Sequence, residues 1–438
     1  MRIETARAQR NKVDSMNYDE TLEFLEKART KGSILGMESI MRLCKELGNP
    51  EKYGKVIHIA GTNGKGSTGA FIEHALCSLG YKVGRFTSPA VFTYEEMWKI
   101  NEVSISRERL SLLMMEVKEA CDRIESNGFP GPTVFEIETV AAYLYMKEEK
   151  CEFSLIEVGC GGLTDATNVV EKPFLSVITS ISMDHMAFLG DTLEKIASMK
   201  AGIIKKNCPV VSLYQKECVN EVIEKTANDN NSKLYYAHSD KASIIEMTPK
   251  GMTISYDGVE NKLDLIGVCQ KENYVLAVEA LKVILGENKL SDRAFMALSK
   301  TRWPGRFEVI ADNPLTIIDG CHNEDAAVKL RNTMAEVLKG YNIHAIAGIL
   351  KDKEVDKIVG EVLPLCKSCI CVTPPNDRGL SKEELASICG DYCESVEIAD
   401  TMHDAVMLSR RKYRENDDAI LVFGSLSYLY DAILTLST

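Results

Sequence analysis

At 438 residues the chain is too long for one core, so two domains are expected. A formal net charge of −12 excludes a nucleic-acid binder that works by broad phosphate neutralisation, and an acidic protein that handles anions must gather metal ions and a few lysines or arginines locally. No run of about 18 apolar residues suggests a membrane span and no signal-like apolar stretch opens the chain, so a cytoplasmic protein is expected, its 14 cysteines reduced.

The first element is a β-branched strand, Val56 to Ala60, which breaks into Gly61-Thr-Asn-Gly-Lys-Gly-Ser and is followed by a predicted helix from Ala70 to Leu79. Strand, glycine-rich turn and helix in that order make a phosphate cradle. Gly61, Gly64 and Gly66 let backbone N–H groups approach phosphate oxygens, Lys65 supplies a mobile cation, and the helix N-terminus adds its dipole. The match to G-x-x-x-x-G-K-[S/T] is imperfect: Ile59 replaces its first glycine, and Gly66 stands where a metal-binding hydroxyl would follow the lysine. The missing hydroxyl must then come from elsewhere.

Further strands are predicted at Phe153 to Val158, Leu175 to Ile181 and Val210 to Leu213. Their alternation with helical patterns predicts a doubly wound, mostly parallel sheet. Glu157 ends one of these strands just before flexible glycines, a position that suits either a magnesium ligand or a turn residue. His185 follows the next strand, where a lone histidine is more often structural than functional, and Lys200 reads by default as a solvated helix lysine. Residues 233 to 268 break the rhythm and predict a hairpin about Asp257-Gly258. Within them Asn261-Lys-Leu-Asp264 fits the guanine-reading pattern of GTPases and Asp264-Leu-Ile-Gly267 fits D-x-x-G, but the two overlap in the wrong order, which argues against a nucleotide switch.

Thr301 to Arg306 reads as a hinge, and a second alternating series follows at Thr316 to Ile318, His344 to Ile349, Ser368 to Val372 and Ala419 to Phe423. A boundary near residue 300 predicts domains of 1–300 and 301–438, the second a smaller, Rossmann-like α/β domain. Cys366, Cys369 and Cys371 form a C-x-x-C-x-C cluster that reads as a buried strand rather than a metal site, because no second ligand pair with finger-like spacing lies nearby.

The motifs, taken together, resemble the folylpolyglutamate synthase and dihydrofolate synthase family of the Mur ligase superfamily. They are Ser33-Ile-Leu-Gly-Met-Glu-Ser-Ile, the loop from Gly61, Thr87-Ser-Pro, Phe135-Glu, Glu157-Val-Gly-Cys-Gly-Gly-Leu-Thr-Asp-Ala-Thr-Asn and Asp184-His185. Lys200-Ala-Gly-Ile-Ile-Lys, Arg302-Trp-Pro-Gly-Arg-Phe-Glu, Asp319-Gly-Cys-His-Asn and Gly348-Ile-Leu-Lys-Asp-Lys then complete the family order. The resemblance implies an ATP-dependent amide ligase that joins L-glutamate to a folate carboxylate through an acyl phosphate, with ATP and two magnesium ions, as a monomer without nucleic-acid or membrane partners. It implies ATP contacts from Gly61, Thr62, Asn63, Gly64, Lys65, Gly66, Ser67, Asn273, Arg306 and Asp319. It also implies metal ligands Ser88, Glu157, His185 and a carbamylated Lys200, with Lys65, His185, Lys200 and His322 in catalytic roles. Two departures stand out. Cys269 replaces the histidine of the family's G-x-H-Q-x-x-N, leaving Gln270 and Asn273 as the transferable positions, and Leu163 stands where many relatives have arginine. Dihydropteroate as a further substrate is left open.

Overall fold

The computed structural model describes residues 16–32, 36–286 and 290–437, so the Ser33 end of the first family motif lies outside the described residues. Two compact units emerge. One gathers residues up to 61 with 76–179 and 187–236, and the other gathers 62–75, 180–186 and 237 onward.

The first unit is built on an eight-stranded sheet. Its strands are β1 (Lys55–Ala60), β2 (Val83–Phe86), β3 (Trp98–Ile100), β4 (Val103–Ser104), β5 (Phe153–Glu157), β6 (Leu175–Ile178), β7 (Val210–Leu213) and β8 (Leu234–Ala237), in the spatial order β4-β3-β2-β5-β1-β6-β7-β8. The run β2-β5-β1-β6-β7 is parallel, and β3 and β4 add antiparallel strands at one edge. Both faces of a parallel sheet are covered, so β5 and β6 are buried at every residue, Ser154 and Ser176 included. Helix Val134–Glu148 packs among the core residues through Ile137, Val140 and Ala141, and it starts at a capping box in which Thr133 and Glu136 satisfy each other's backbone N–H groups. Phe135 and Glu136 of the family motif are therefore the first turn of a core helix.

The second unit holds two sheets. Strands β9 (Ser243–Thr248), β10 (Gly251–Tyr256) and β11 (Val259–Leu263) are antiparallel, and β10 turns into β11 at Asp257 (φ 54°) and Gly258 (φ 75°). Positive φ at both central residues gives a two-residue turn whose twist matches the strands, which is the predicted hairpin. Strands β12 (Glu308–Asp312), β13 (Leu315–Asp319), β14 (Asn342–Ala347), β15 (Ser368–Cys371), β16 (Val396–Ile398) and β17 (Asp418–Phe423) form a six-stranded sheet in the order β12-β13-β17-β14-β15-β16. It is parallel except at β12. Ile317, Ala345 and Leu421 on the sheet pack in one core with Met334, Ile358 and Val359 of the covering helices. The fold is thus α/β, with two mostly parallel sheets.

Several predicted limits shift, two of them for a visible reason. The helix after the glycine-rich turn is Lys65–Ser78, starting five residues before the predicted Ala70, because Gly66 and the serine and threonine that follow join its first turns rather than the loop. The predicted strand ending at Ile181 stops at Ile178, where Thr179 turns the chain out of the sheet after its N–H bonds to Ala60 O.

Candidate active site

In the first unit the carboxyl ends of adjacent parallel strands gather the predicted groups. Glu157 closes β5 beside Ile59 of β1, and the N–H of Val158 continues the ladder to Ile59 O. The glutamate is buried. Ser88 follows β2 on the other side of β5 and is half-buried. Gly61, the first residue beyond β1, lies so close to Thr179 that any side chain there would overlap the threonine Oγ1. Lys200 is buried on the helix Leu193–Ala201 and donates from Nζ to Gly61 O at 2.9 Å. It is not the solvated lysine that its helix suggests.

The loop after β5 is fixed from beneath. Asp165 accepts from the N–H groups of Cys160 and Thr167 and from Thr167 Oγ1, and Thr167 Oγ1 lies 2.9 Å from His58 Nε2 on β1. Asn168 Nδ2 donates to Leu163 O and Gly202 O. Leu163 itself is half exposed, so the side chain that replaces arginine faces solvent.

In the second unit Thr62 to Lys65 form the turn and Lys65 opens the helix. Thr62 N–H donates to Ser180 O at 2.8 Å, Thr62 Oγ1 donates to Ser182 O, and the Ser182 N–H donates back to Thr62 Oγ1. Lys65 Nζ curls over the turn to Thr62 O at 3.3 Å. Gly64 has φ +87° and a Cβ there would overlap Asn273 Oδ1; a Cβ on Gly66 would come within 2.6 Å of the Trp303 ring. Buried Asn273 lies against the turn and donates from Nδ2 to Gln270 Oε1 at 3.0 Å, so the two transferable residues of that motif bond to each other. Ser67 is buried in the helix's first turn. Gly64→Ala is expected to lose about 1–3 kcal/mol of stability from strain at positive φ, read as a lower urea midpoint; an unchanged midpoint would contradict the turn described.

A polar network of the second unit went unread in the sequence. Asn63 Nδ2 donates to Asn323 Oδ1 and to Asp325 Oδ2, Asn323 Nδ2 donates to Asn63 Oδ1 and Asp184 Oδ2, and Lys353 Nζ binds Asp184 Oδ1 at 3.1 Å. Burial opposes ionisation of Asp184, but Lys353 and His185 outweigh it and hold the carboxyl down at about 2. Asn323 and Lys353 lie in quoted motifs, but no pattern in the sequence pairs them. His185 follows Asp184 with φ 49° and an exposed ring. Asp319 ends β13 and accepts from the N–H groups of Phe307 and Cys321, and burial raises its carboxyl pKa against the lowering effect of Arg306. Arg306 Nη1 donates to Gly305 O. His322 Nδ1 lies 2.8 Å from Gly320 O.

The His322 pKa is lowered to about 4, first by burial. A histidine depressed on folding stabilises the native state above its unfolded pKa of about 6.5 and loses that contribution as pH falls through about 4, because the unfolded chain then binds the extra proton. Urea stability is therefore expected to fall from pH 6.5 to 4, and His322→Gln should flatten part of that fall. Equal slopes for the two proteins would contradict a buried neutral ring.

Asn261 and Asp264 are occupied inside the fold. Asn261 Nδ2 donates to Phe295 O at 2.7 Å and Asp264 lies near Lys300 and Arg302, so the residues of the guanine-reading pattern bond to the helix Asp292–Ser299 and the segment after it.

Residues 59–281 match the Mur ligase middle domain, and residues 305–426 match the Mur ligase glutamate ligase domain. A Bacillus subtilis dihydrofolate synthase/folylpolyglutamate synthase is 34% identical over 412 residues, covering 90% of this chain and 94% of the relative. The chain belongs to the folylpolyglutamate synthase and dihydrofolate synthase family of Mur ligases. Among solved members of the family, the Mycobacterium tuberculosis folylpolyglutamate synthase complexed with ADP superposes with a TM-score of 0.87 at 26% identity over 96% of this chain and 99% of that one. A bifunctional folylpolyglutamate synthase/dihydrofolate synthase from Yersinia pestis, complexed with AMPPNP and a manganese ion, gives 0.83 at 26% identity, covering 96% and 98%. Against this family the glycine-rich turn, the Glu157 loop and the Asp319 motif each stand at a strand end, as residues around a nucleotide do in open α/β sheets. Among the described residues no helix is long and apolar enough to cross a membrane.

Proposed function

We propose that this enzyme uses ATP to join L-glutamate to the glutamyl carboxylate of a tetrahydrofolate, releasing ADP and phosphate, as a cytoplasmic monomer. The γ-phosphoryl group passes to the carboxylate, and the glutamate amine then displaces phosphate from the acyl phosphate. The observation that carries this reading is the loop of Gly61, Thr62, Asn63, Gly64, Lys65, Gly66 and Ser67, set at a helix N-terminus within a Mur ligase chain. We assign residues 1–300 to ATP binding and 301–438 to glutamate ligation.

Both substrates are anions, so their approach must be offset by cations. Lys65 takes the phosphates as a point charge, Arg306 takes the terminal phosphate, and Asn273, Asp319 and His322 hold the nucleotide. Glu157 and Ser88 are oxygen donors at neighbouring strand ends, a donor set that fits a hard divalent ion such as magnesium; His185 and a carbamylated Lys200 would serve a second. When bound, these ions neutralise phosphate charge and polarise the phosphoryl group. Domain closure about residues 301–305 would exclude the water that hydrolyses an acyl phosphate.

Phosphate release is expected to require both a folate and L-glutamate, with the folate gaining the mass of one glutamyl residue. Phosphate release without either acceptor, or a phosphorylated product that survives isolation, would contradict ligation. Because the Bacillus subtilis relative carries both names, dihydropteroate should be tested in parallel; its glutamylation would establish the bifunctional reading. Arg306→Ala is expected to slow acyl phosphate formation about tenfold or more while ATP affinity changes little, since contacts realised in the transition state act on rate. Loss of ATP affinity with normal single-turnover chemistry would make Arg306 a ground-state binder.

A further inference from the structure

The cysteines at the far end of the chain converge. Cys369 and Cys371 are two residues apart on β15, so their side chains share one face of the sheet. The helix Lys382–Cys389 packs over β15 and ends at Cys389. All three are free thiols with no solvent exposure. Their sulfurs lie within 4.8 Å of one another, and the Cys369 and Cys371 sulfurs are 3.9 Å apart. Among the described residues no other group of histidines, cysteines and carboxylates meets like this.

That spacing is the span of a thiolate metal site. Sulfurs bound at about 2.3 Å to one ion stand about 3.8–4.0 Å apart, so the pair on β15 needs almost no movement and Cys389 less than about an ångström. The neighbouring cysteines behave otherwise: Cys366 Sγ donates to Val362 O and Cys393 Sγ to Cys366 O, as ordinary buried thiols do. We propose that Cys369, Cys371 and Cys389 bind one thiophilic d10 ion, zinc(II) or copper(I), in the C-terminal sheet, separate from the ligase chemistry. Thiolates select these ions, and each thiol gives up its proton to solvent on binding. The site would clamp the helix Lys382–Cys389 to β15. The sequence hid it, because Cys389 lies eighteen residues beyond Cys371 with no finger-like spacing.

The test uses the full, reduced chain under anaerobic conditions, with cobalt(II) as a spectroscopic probe and zinc(II) and copper(I) in separate competition arms. One equivalent of cobalt(II) is expected to give thiolate-to-cobalt charge-transfer absorption, displaced by whichever native ion binds more tightly, and zinc binding should release protons. Cys369→Ala, Cys371→Ala and Cys389→Ala should each weaken binding at least tenfold, whereas Cys366→Ala and Cys44→Ala should not. Wild-type protein that retains no ion in any arm overturns the proposal whether or not the variants fold. So does charge transfer that persists unchanged in Cys389→Ala, or a disulfide between Cys389 and a β15 cysteine in protein prepared under reducing conditions.

Discussion

Lys65→Ala is expected to reduce turnover at least a hundredfold while leaving the unfolding midpoint nearly unchanged. The side chain is half-buried at the start of the helix Lys65–Ser78, and its Nζ donates to Thr62 O at 3.3 Å within the same turn. Little packing is lost when it is removed. What disappears is a positive charge at a helix N-terminus, where transition-state charge contacts typically contribute about 10²-fold or more. Steady-state phosphate release and thermal unfolding, measured on the same preparation, separate the two effects. A variant that keeps more than about a tenth of the wild-type rate would mean that the loop does not cradle the transferred phosphate. A variant that is slow because it is unfolded would mean that Lys65 is structural.

Lys200→Ala is expected to be equally severe, with a different signature. Lys200 is buried and its Nζ donates to Gly61 O, so its loss removes a buried bond to the glycine-rich turn, worth about 1.5–3 kcal/mol for a charged donor. Loss of activity alone would therefore not separate positioning from metal ligation. The carbamate reading adds a second expectation. A free ammonium close to divalent cations repels them, whereas a carbamate supplies oxygen ligands and still keeps an N–H for Gly61 O. Acetate or formate entering the space vacated in Lys200→Ala should restore a measurable share of the rate, and gently handled wild-type protein grown with bicarbonate should carry the mass of one added carboxyl group. No rescue together with an unmodified lysine would leave Lys200 as a positioning residue only.

The sequence carried the parts of this fold that local chemistry dictates. The apolar run of β1 and the glycines after it could only be a strand entering a turn, and Asp257-Gly258 specified its hairpin through the need for positive φ at two successive residues. Glu157 was legible as a strand-end carboxylate, although its burial beside Ile59 was not. Other elements carry weaker signals. Strand β2 has four residues and includes a glycine and a buried arginine, so no apolar run betrays it, and β3, β4 and β16 are shorter still. Long-range pairings were out of reach altogether. The bonds linking Asn63, Asn323, Asp184 and Lys353 join residues up to 260 positions apart, and only the fold brings them together. The same holds for Lys200, whose helix position suggests solvent and whose actual partner is the carbonyl of Gly61.

The central claim is that ATP activates a folate carboxylate as an acyl phosphate, and it is tested most directly by following oxygen. With the glutamyl carboxylate of the folate substrate labelled with ¹⁸O, the account predicts that each glutamate ligated moves one labelled oxygen into the released phosphate, read by mass spectrometry. Released phosphate free of label, in a reaction that still extends the folate by one glutamyl residue, would contradict it.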